Sequence, residues 1–506
     1  MRVNTSMLLE MAVDAFGDRV AFGSKAGGMT YQQLLDRAQG AAAWLAPRPD
    51  ARAAMVDVNS DAVPILFFGS GMASRPFVPI NYRLSDEQLG AILARTAPAA
   101  VVIDAPVAQR IDSIDGIELV TRAAFLDAVK SKPAEPVTVE PSPDDIAVLL
   151  FTSGTTGEPK AAVLRHKHLV SYVISTVEFM GADEDEAALV SVPPYHIAGI
   201  SAILTAVYAG RRVVQLPTFD AKEWVTVARD EAVTQAMVVP TMLGRILDVL
   251  EAERESLPAL RHLSYGGGRM PVSVVERALQ LLPQTEFVNA YGLTETASTI
   301  AVLGPEDHRV AFESNDPKLR RRLGSVGRPL PTVDVEIRDP LGVSVPAGEP
   351  GEIWVRGEQV AGEYLGRGDV TEGGWFPTKD AGVLDDDGYL YVEGRLDDVI
   401  VRGGENMSPG EIEDVLVTHP AVHEACVCGV PDTEWGERVI AVIVPVEGAV
   451  VSEKELQDLV RSKLRSSRTP ERIEFRTELP YNETGKLLRR VLRAELAASF
   501  GETPSS

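Results

Sequence analysis

Small hydroxyl-bearing residues and glycines gather in one short loop, residues 152–160, directly after an apolar run. Such residues let backbone N–H groups crowd around phosphate oxygens, and hydroxyls and a lysine add further donors. The spacing differs from a Walker A loop, which needs Gly-x4-Gly-Lys-Ser/Thr. A flexible surface loop is the alternative, but the flanking apolar strands favour phosphate binding. The candidate ligands are Thr152, Ser153, Gly154, Thr155, Thr156, Gly157 and Lys160.

Two other stretches carry groups suited to a flat ring and to a metal ion. Gly266, Gly267 and Gly268 carry no side chains, so a planar group can lie against their backbone, although a simple turn has the same composition. Glu295 is a lone carboxylate in the sequence Tyr-Gly-Leu-Thr-Glu-Thr, residues 291–296. Beside phosphates, one carboxylate suits Mg²⁺, which keeps several of its waters. From the residues alone, an ordinary solvated glutamate is the favoured interpretation of Glu295.

The elements around these candidates predict an α/β protein. The first helical stretch is residues 29–45, which begins at a threonine cap. Short apolar runs alternate with such helical stretches, and this alternation indicates layered α/β subdomains with buried strands. Residues 324–391 are rich in Gly and Pro and alternate like the strands of a small β-rich subdomain. The last hundred residues predict a small, mobile α+β domain, with a helix capped by Ser452 and Glu455. We place the two domains at 1–396 and 397–506.

Composition narrows the classes of partner and compartment. The chain has 506 residues, too many for one core. Its net charge of -24 argues against nucleic-acid binding. The two cysteines, Cys426 and Cys428, are expected to be buried in a reducing compartment. No signal peptide or transmembrane segment is expected, so we predict a cytoplasmic protein, and a homodimer is compatible with the sequence.

Seven further motifs, taken together with the loop at 152–160, resemble those of a known protein family. The loop "LLFTSGTTGEPKAAVL" is followed by "YGLTETAS", "GSVGRPLP", "GEIWVRG", "GWFPTKDAG", "GRLDDVIVRGGENMSPGEIEDVL" and "NETGKLLRR", and "SYGGGRMP" precedes them at 264–271. In this order they resemble the core motifs of the adenylate-forming (ANL) superfamily, in its acyl-CoA synthetase branch. That superfamily also contains peptide-synthetase adenylation domains and firefly luciferase.

The resemblance implies a role for each matching residue. Asp397 takes the hinge position, and Lys379 departs from the usual Thr-Gly-Asp pattern. Arg489 and Arg490 are expected to be ordinary surface cations. The implied roles are adenine stacking for Tyr291, α-phosphate contact for Thr294, Mg²⁺ binding for Glu295, ribose binding for Asp380, ribose or phosphate contact for Arg395, the floor of the adenine and acyl sites for Gly266, Gly267 and Gly268, proximity to the substrate carboxylate for His196, pantetheine passage for Gly403 and Gly404, and transition-state stabilisation for Lys486.

The implied function is ATP-dependent activation of a carboxylic acid to an acyl-adenylate, followed by transfer to coenzyme A. ATP, Mg²⁺ and coenzyme A are the expected cofactors and co-substrates. The expected acyl pocket draws on 195–200, 239–242, 266–270 and 296–299, which are mainly small or apolar and favour a fatty or aromatic acid. Loading of a carrier protein is the closest alternative. A luciferase-like oxygenase and a regulatory nucleotide-binding module are the others.

Overall fold

The computed structural model describes residues 4–48, 50–131, 133, 135, 137, 139, 141–152, 159–368, 370–371, 373–403, 405–481 and 487–500. In chain order its helices are α1 (Thr5–Phe16), α2 (Tyr31–Leu45), α3 (Ala62–Met72), α4 (Asp86–Thr96), α5 (Ala105–Ala108), α6 (Arg122–Ala128), α7 (His166–Thr176), α8 (Ile197–Ala209), α9 (Ala221–Asp230), α10 (Pro240–Glu253), α11 (Val272–Leu281), α12 (Pro305–Glu313), α13 (Pro317–Arg320), α14 (Pro409–Leu416), α15 (Glu453–Lys463) and α16 (Arg489–Phe500).

The strands, again in chain order, are β1 (Val20–Phe22), β2 (Met29–Thr30), β3 (Arg52–Val56), β4 (Phe77–Pro79), β5 (Ala99–Ile103), β6 (Ile117–Thr121), β7 (Ile146–Thr152), β8 (Lys160–Arg165), β9 (Ala187–Val190), β10 (Arg212–Gln215), β11 (Gln235–Val238), β12 (His262–Gly266), β13 (Glu286–Leu293), β14 (Ser298–Leu303), β15 (Arg328–Pro329), β16 (Val333–Arg338), β17 (Gly351–Gly357), β18 (Glu363–Tyr364), β19 (Arg367–Gly368), β20 (Phe376–Leu384), β21 (Leu390–Arg395), β22 (Ile400–Arg402), β23 (Glu405–Met407), β24 (Val422–Asp432), β25 (Gly436–Pro445) and β26 (Arg472–Phe475).

Two large sheets form the first part of the chain. Over the described ranges, one has nine strands in the order β15-β14-β13-β12-β11-β9-β10-β1-β2, and the other has eight in the order β19-β18-β8-β7-β4-β3-β5-β6. One apolar core joins them: Leu34 of α2, Phe68 of α3 and Leu204 of α8 pack with Met55 of one sheet and Val213 of the other. This is the predicted layered α/β architecture, and it is confirmed.

The predicted cap of the first long helix is also correct. Thr30 Oγ1 accepts a hydrogen bond from the Gln33 amide at 3.2 Å, and the Gln33 side chain accepts from the Thr30 amide at 2.9 Å. These reciprocal bonds satisfy amides that the first turn of a helix leaves without partners. The sequence therefore sets the start of α2 locally.

The nine-stranded sheet gathers several of the predicted site residues at one edge. Its strands β9, β11, β12 and β13 are parallel neighbours, and β10 lies on the other side of β9 from β11. Successive strands are therefore added on opposite sides of β9, and ligands in open α/β sheets bind outside the carboxyl ends of strands where the strand order reverses in this way. The loops that leave those ends begin at residues 191, 239, 267 and 294.

A separate antiparallel sheet, β16-β17-β20-β21, forms the β-rich unit. It confirms the small β-rich subdomain predicted over residues 324–391, with its last strand continuing to Arg395. One part of that stretch goes elsewhere. Strand β18 pairs with β8 through Tyr364 and Ala162 and so extends the eight-stranded sheet. Alternation of side chains along a strand identifies a strand but not its partner, so this pairing was not predicted.

The C-terminal part contains the sheet β24-β25-β26, the hairpin β22-β23 and helices α14 to α16. Ser452 caps α15 by accepting a bond from the Glu455 amide at 3.2 Å, as predicted. Cys426 and Cys428 are buried on one face of β24 with their sulfur atoms 3.9 Å apart. A short 3₁₀ turn, Leu396–Asp398, links β21 to β22. The domain boundary placed at residue 397 stays a prediction.

The expectation for Arg489 was wrong. Its guanidinium forms two bonds with the Glu413 carboxylate and also donates to the Val427 carbonyl, and its side chain is 17 % exposed. A buried cation is stable only when a partner offsets its charge. Glu413 lies 76 residues earlier in the chain, so sequence spacing gives no sign of it.

Among the described residues, no helix combines the length and the apolar character needed to cross a lipid bilayer.

Candidate functional site

The predicted ribose ligand, Asp380, sits at the centre of a hydrogen-bonded cluster. Its carboxylate accepts a bond from the Tyr291 hydroxyl at 2.6 Å and a second bond from Arg395 at 2.9 Å. Asp380 and Arg395 face each other across strands β20 and β21, which explains their proximity. A carboxylate has about four acceptor positions, so Asp380 can still accept bonds from the hydroxyls of a bound sugar.

Two members of this cluster, Tyr291 and Arg395, have pKa values above their ordinary ones. Burial, reinforced by the Asp380 charge, holds the pKa of Tyr291 well above its usual value, so the phenol remains a donor. Burial lowers the pKa of Arg395, but the Asp380 and Glu295 carboxylates outweigh it and raise the pKa above its ordinary value. Arg395 is therefore a permanent cation that donates to Asp380 and to the Thr378 carbonyl, and Glu295 lies within reach of its charge.

Lys379 shows how the chain accommodates its departure from the Thr-Gly-Asp pattern. Its φ angle is 62°, in the left-handed region that glycine adopts freely. The neighbouring Thr378 is buried, and its Oγ1 accepts a bond from the Asp380 amide at 3.1 Å. The backbone thus keeps a glycine-like conformation and delivers the Asp380 side chain inward even though residue 379 has a side chain.

Glu295, the predicted metal ligand, is buried with 9 % of its surface exposed. Its Oε1 accepts a bond from the Tyr364 hydroxyl at 2.5 Å. The Lys160 ammonium lies 5.5 Å from the centre of the same tyrosine ring. Thr294 begins the short 3₁₀ turn that carries Glu295, Thr294–Thr296. The structure therefore brings Lys160, Thr294 and Glu295 into one region, and Tyr364 contacts both Lys160 and Glu295.

The predicted phosphate loop is framed by two paired strands. Thr152 ends β7 and lies opposite Lys160, the first residue of β8, and the Thr152 hydroxyl donates to the Lys160 carbonyl at 3.4 Å. The loop between them contains Ser153, Gly154, Thr155, Thr156 and Gly157, which lie outside the described residues. The strands on both sides are those that the sequence predicted.

The three glycines at 266–268 differ in what they require. A Cβ on Gly266 would lie 2.2 Å from the Ala290 carbonyl oxygen, because strands β12 and β13 approach closely there. Gly267 has a φ angle of 78°. A Cβ on Gly268 would meet only Pro240, at 3.7 Å, and both Gly267 and Gly268 are exposed. The loop thus leaves an open backbone surface beside residue 240, part of the predicted acyl pocket.

His196 caps helix α8. Its Nδ1 accepts a bond from the Ala198 amide at 3.1 Å, so a neutral ring carries its proton on Nε2. Helix α8 is held against the end of the 291–298 segment by the bond from Ser298 to Ser201, 3.2 Å between hydroxyl oxygens. His196 is partly exposed at the edge of the sheet that also carries the glycine loop.

Gly403 and Gly404 are expected to serve the second half of the reaction, and Lys486 the first. Gly403 is exposed, has a φ angle of 58° and donates from its amide to the Trp435 carbonyl at 2.8 Å, within the C-terminal part. Gly404 and Lys486 lie outside the described residues. The roles of these three residues stay predictions.

The oxygen donors near Glu295 fit a magnesium ion. Mg²⁺ prefers oxygen ligands, keeps several waters and is held by one or two carboxylates plus substrate phosphates. Tyr364 donates to one oxygen of the Glu295 carboxylate, and a cation would bind the other. Among the described residues, no three His, Cys, Asp or Glu side chains cluster as in an all-protein metal centre. A site that depends on the phosphates of a bound nucleotide matches this arrangement.

Tyr364 is the member of the site that the sequence did not predict. It follows the motif "GEIWVRG" by seven residues, in "AGEYLG", and an isolated tyrosine gives no indication of its partners. Its contacts depend on the pairing of β18 with β8, which joins segments about two hundred residues apart. An aromatic residue in an otherwise Gly-rich connection was the only available signal.

Models of two protein families match this chain. The AMP-binding enzyme family matches residues 9–365, and the AMP-binding enzyme C-terminal domain matches residues 411–486. The first match includes the phosphate loop and the Glu295 turn, and the second ends at Lys486.

Curated proteins and solved structures give a similar result. The chain is 33 % identical to a feruloyl-CoA synthase of an Amycolatopsis species over 88 % of its own length and 89 % of that protein. It is 32 % identical to the fatty acid–[acyl-carrier-protein] ligase ScoC of Streptomyces coeruleorubidus, over 88 % and 86 %. The o-succinylbenzoate CoA synthetase (MenE) of Bacillus subtilis, solved with its acyl-adenylate intermediate, is 28 % identical, with a TM-score of 0.82 over 96 % of this chain and 97 % of that one.

Proposed function

Because the chain belongs to the AMP-binding enzyme family, we propose that it is an AMP-forming acid–CoA ligase that activates a fatty or aromatic acid. The observation that carries this is the buried cluster of Asp380, Tyr291 and Arg395 beside the carboxylate of Glu295. It offers acceptors for a sugar, a fixed aromatic ring and a metal-binding oxygen close together. ATP and coenzyme A are the co-substrates.

In the first step a carboxylate oxygen of the acid attacks the α-phosphorus of ATP, and the bond to the departing pyrophosphate breaks. Asp380 holds the ribose, Tyr291 stacks on adenine, and Thr294 contacts the α-phosphate. Lys160 and the loop at 152–157 offer donors to the phosphate oxygens, and Lys486 supplies a cation where negative charge develops. A Mg²⁺ ion bound at Glu295 would neutralise phosphate charge.

His196 is suited to binding the incoming carboxylate. Since its Nδ1 accepts from the Ala198 amide, a neutral ring carries its proton on Nε2, and an Nε2–H group can donate to a carboxylate oxygen. This bond would orient the acid toward the α-phosphorus, while the apolar residues at 197–200 and 239–242 surround the acyl chain. The described segments of this pocket carry no acidic side chain, which disfavours an amino acid as substrate.

In the second step the thiolate of coenzyme A attacks the carbonyl carbon of the acyl-adenylate, and AMP leaves. We propose that the C-terminal part turns about Asp397, withdraws Lys486 and brings Gly403 and Gly404 toward the adenylate. Rearrangement between steps lets one cleft serve two reactions. The exposed position of Gly403 is compatible with the arrangement before this turn.

A carrier protein is the second candidate acceptor, since one relative is a fatty acid–[acyl-carrier-protein] ligase. The two acceptors present the same phosphopantetheine thiol, so the adenylation site does not separate them. Purified protein with ATP and a panel of fatty and aromatic acids should form acyl-CoA with free coenzyme A. Transfer only to a holo-carrier protein would replace coenzyme A as the acceptor, and absence of AMP formation with every acid would contradict the proposal.

The division of labour between the two steps is tested with Lys486→Ala. We expect acid-dependent exchange of pyrophosphate into ATP to fall about 10²–10³-fold, because the variant lacks the cation at the α-phosphate. Thioester formation from synthetic acyl-adenylate should keep most of its rate. Equal loss of both activities would contradict the separate role of Lys486.

A further inference from the structure

Tyr364 lies between the two groups that would meet the metal and the phosphates. Its hydroxyl donates to Glu295 Oε1 at 2.5 Å, and its ring lies under the Lys160 ammonium, 5.5 Å from the nitrogen to the ring centre. One side chain thus contacts an anion through its hydroxyl and a cation through its ring. Neither family-motif matching nor the roles assigned above gives this tyrosine a function.

The backbone around Tyr364 is fixed by its neighbours rather than by its own side chain. The amides of Ala361 and Gly362 donate to the Glu295 carbonyl at 2.8 and 3.0 Å, and the Leu365 amide donates to the Ala161 carbonyl at 2.8 Å. One side of the segment is therefore tied to the turn that carries Glu295, and the other to strand β8 that begins with Lys160.

An ion pair strengthens the same connection. Arg165 on β8 makes two bonds with the Glu363 carboxylate, at 2.9 and 2.7 Å. These contacts do not involve the tyrosine side chain, so a change of that side chain leaves the strand pairing intact. Loss of the hydroxyl or of the ring can therefore be studied in a folded protein.

The hydroxyl and the ring of Tyr364 act differently on Glu295 and on Lys160. A hydrogen bond to a charged acceptor is stronger than a neutral one, so the phenol orients the Glu295 carboxylate and leaves its second oxygen for a cation. An aromatic face attracts an ammonium group without neutralising it. A direct Lys160–Glu295 ion pair would use up both charges before the nucleotide arrives.

We propose that Tyr364 is a positioning residue of the adenylation step, which orients Glu295 through its hydroxyl and keeps Lys160 apart from that carboxylate through its ring. This inference rests on the function proposed above. Tyr364 would thereby keep the Glu295 carboxylate available for the metal ion and the Lys160 ammonium available for the phosphate, because the two side chains do not pair with each other.

The hydroxyl is tested with Tyr364→Phe, which removes the hydrogen bond and keeps the ring. We expect Mn²⁺, measured by electron paramagnetic resonance at saturating ATP, to bind about tenfold more weakly, which corresponds to 1.4 kcal/mol. The Mg²⁺ concentration that gives half-maximal pyrophosphate exchange should rise by a similar factor. Thioester formation from synthetic acyl-adenylate and the melting temperature should not change.

The ring is tested with Tyr364→Leu and with the double variant Tyr364→Leu/Lys160→Met. The leucine variant should bind Mn²⁺ more weakly than the phenylalanine variant, because Lys160 can then pair with Glu295. Removing Lys160 in that background should restore Mn²⁺ affinity to that of Tyr364→Phe, although exchange activity stays low. A purely structural role for Tyr364 would give no such recovery.

Tyr172→Phe is the matched control, since this tyrosine is buried in α7 with 8 % exposure and lies outside the site. It should equal the wild type in every measurement. Wild-type Mn²⁺ affinity and Mg²⁺ dependence in Tyr364→Phe, or a melting temperature that falls in parallel with activity, would overturn the proposal. Wild-type protein that shows no exchange with any acid and no binding of Mn²⁺ with ATP would instead overturn the proposed function, and this inference with it.

Discussion

Replacing Lys379 tests whether strained backbone delivers Asp380 to the nucleotide cleft. Lys379 has a φ angle of 62°, and the pairing of β17 with β20 shifts register between Glu352 and Trp354, opposite this position. The Lys379 amide donates to the Glu352 carboxylate at 3.2 Å, while its side chain is exposed. We interpret the position as one that needs a left-handed backbone and makes little use of its side chain.

The expected magnitudes follow from that conformation. A left-handed residue with a Cβ costs about 1–2 kcal/mol, which Lys379→Gly would remove. Glycine loses more backbone freedom on folding, about 0.5–1 kcal/mol, so the net gain in the free energy of unfolding lies between about 0 and 1.5 kcal/mol. Lys379→Ala keeps the Cβ and should stay within about 0.5 kcal/mol of the wild type. Lys379→Val should be less stable, because a β-branched residue at positive φ is an outlier.

Urea denaturation measures these differences. It should be followed both by tryptophan fluorescence and by circular dichroism, since the midpoints can be compared directly only if the two signals change together. We expect the order Gly, then wild type and Ala, then Val. The KM for ATP should stay within about twofold in Lys379→Gly, because the backbone that carries Asp380 does not move.

A less stable glycine variant would refute this reasoning, since it would mean that the lysine side chain contributes more than its backbone strain costs. A large rise in the KM for ATP with unchanged stability would refute it differently. That result would assign the Lys379 ammonium a direct contact with the nucleotide.

Three further outcomes can be measured. Asp380→Asn should raise the KM for ATP about tenfold or more in pyrophosphate exchange, since a charged acceptor is lost from a buried network, whereas an unchanged KM would exclude the ribose role. Burial lowers the pKa of His166 to about 4, so its contribution to the free energy of unfolding is present above pH 6.5 and is lost as the pH falls toward 4. His166→Gln should therefore reduce the change in the free energy of unfolding between pH 6.5 and pH 4, measured in urea titrations, by about 3 kcal/mol. A Cβ on Gly410 would lie 1.0 Å from an Arg269 nitrogen, so Gly410→Ala should break the Arg269–Asp414 ion pair and speed tryptic cleavage after residue 395. An unchanged cleavage rate would show that this ion pair does not hold the C-terminal part against the rest of the chain.

Local signals allowed the sequence to predict much of the architecture. The cap at Thr30, the cap at Ser452 and the strand before residue 152 each depend on neighbouring residues, and each is present. Asp380 and Arg395 were each identified through motif resemblance, and the structure adds that they form an ion pair at 2.9 Å, while their ligand roles stay predictions. Motif order was sufficient for this because each motif fills a fixed place in the fold.

Contacts between distant segments escaped prediction for a common physical reason. Tyr364 acquires its role only when β18 joins β8, and Arg489 becomes buried only when Glu413 lies beside it. Composition and periodicity specify which face of an element is apolar, but they do not specify which element covers it. A tyrosine in a loop and an arginine near a terminus therefore give the same sequence signal whether they are solvated or essential.

The short strand β18 also determines which parts of the molecule open together. The Leu365 amide and the Arg165–Glu363 ion pair attach the segment between strands β17 and β20 of the small antiparallel sheet to the edge of the eight-stranded sheet. In amide hydrogen–deuterium exchange, residues 361–365 should therefore exchange as slowly as residues 160–165, as members of one cooperative unit. A fragment that ends at residue 365 would keep these contacts between β18 and β8 but would lose strand β20, the partner of β17, so the small antiparallel sheet would not form.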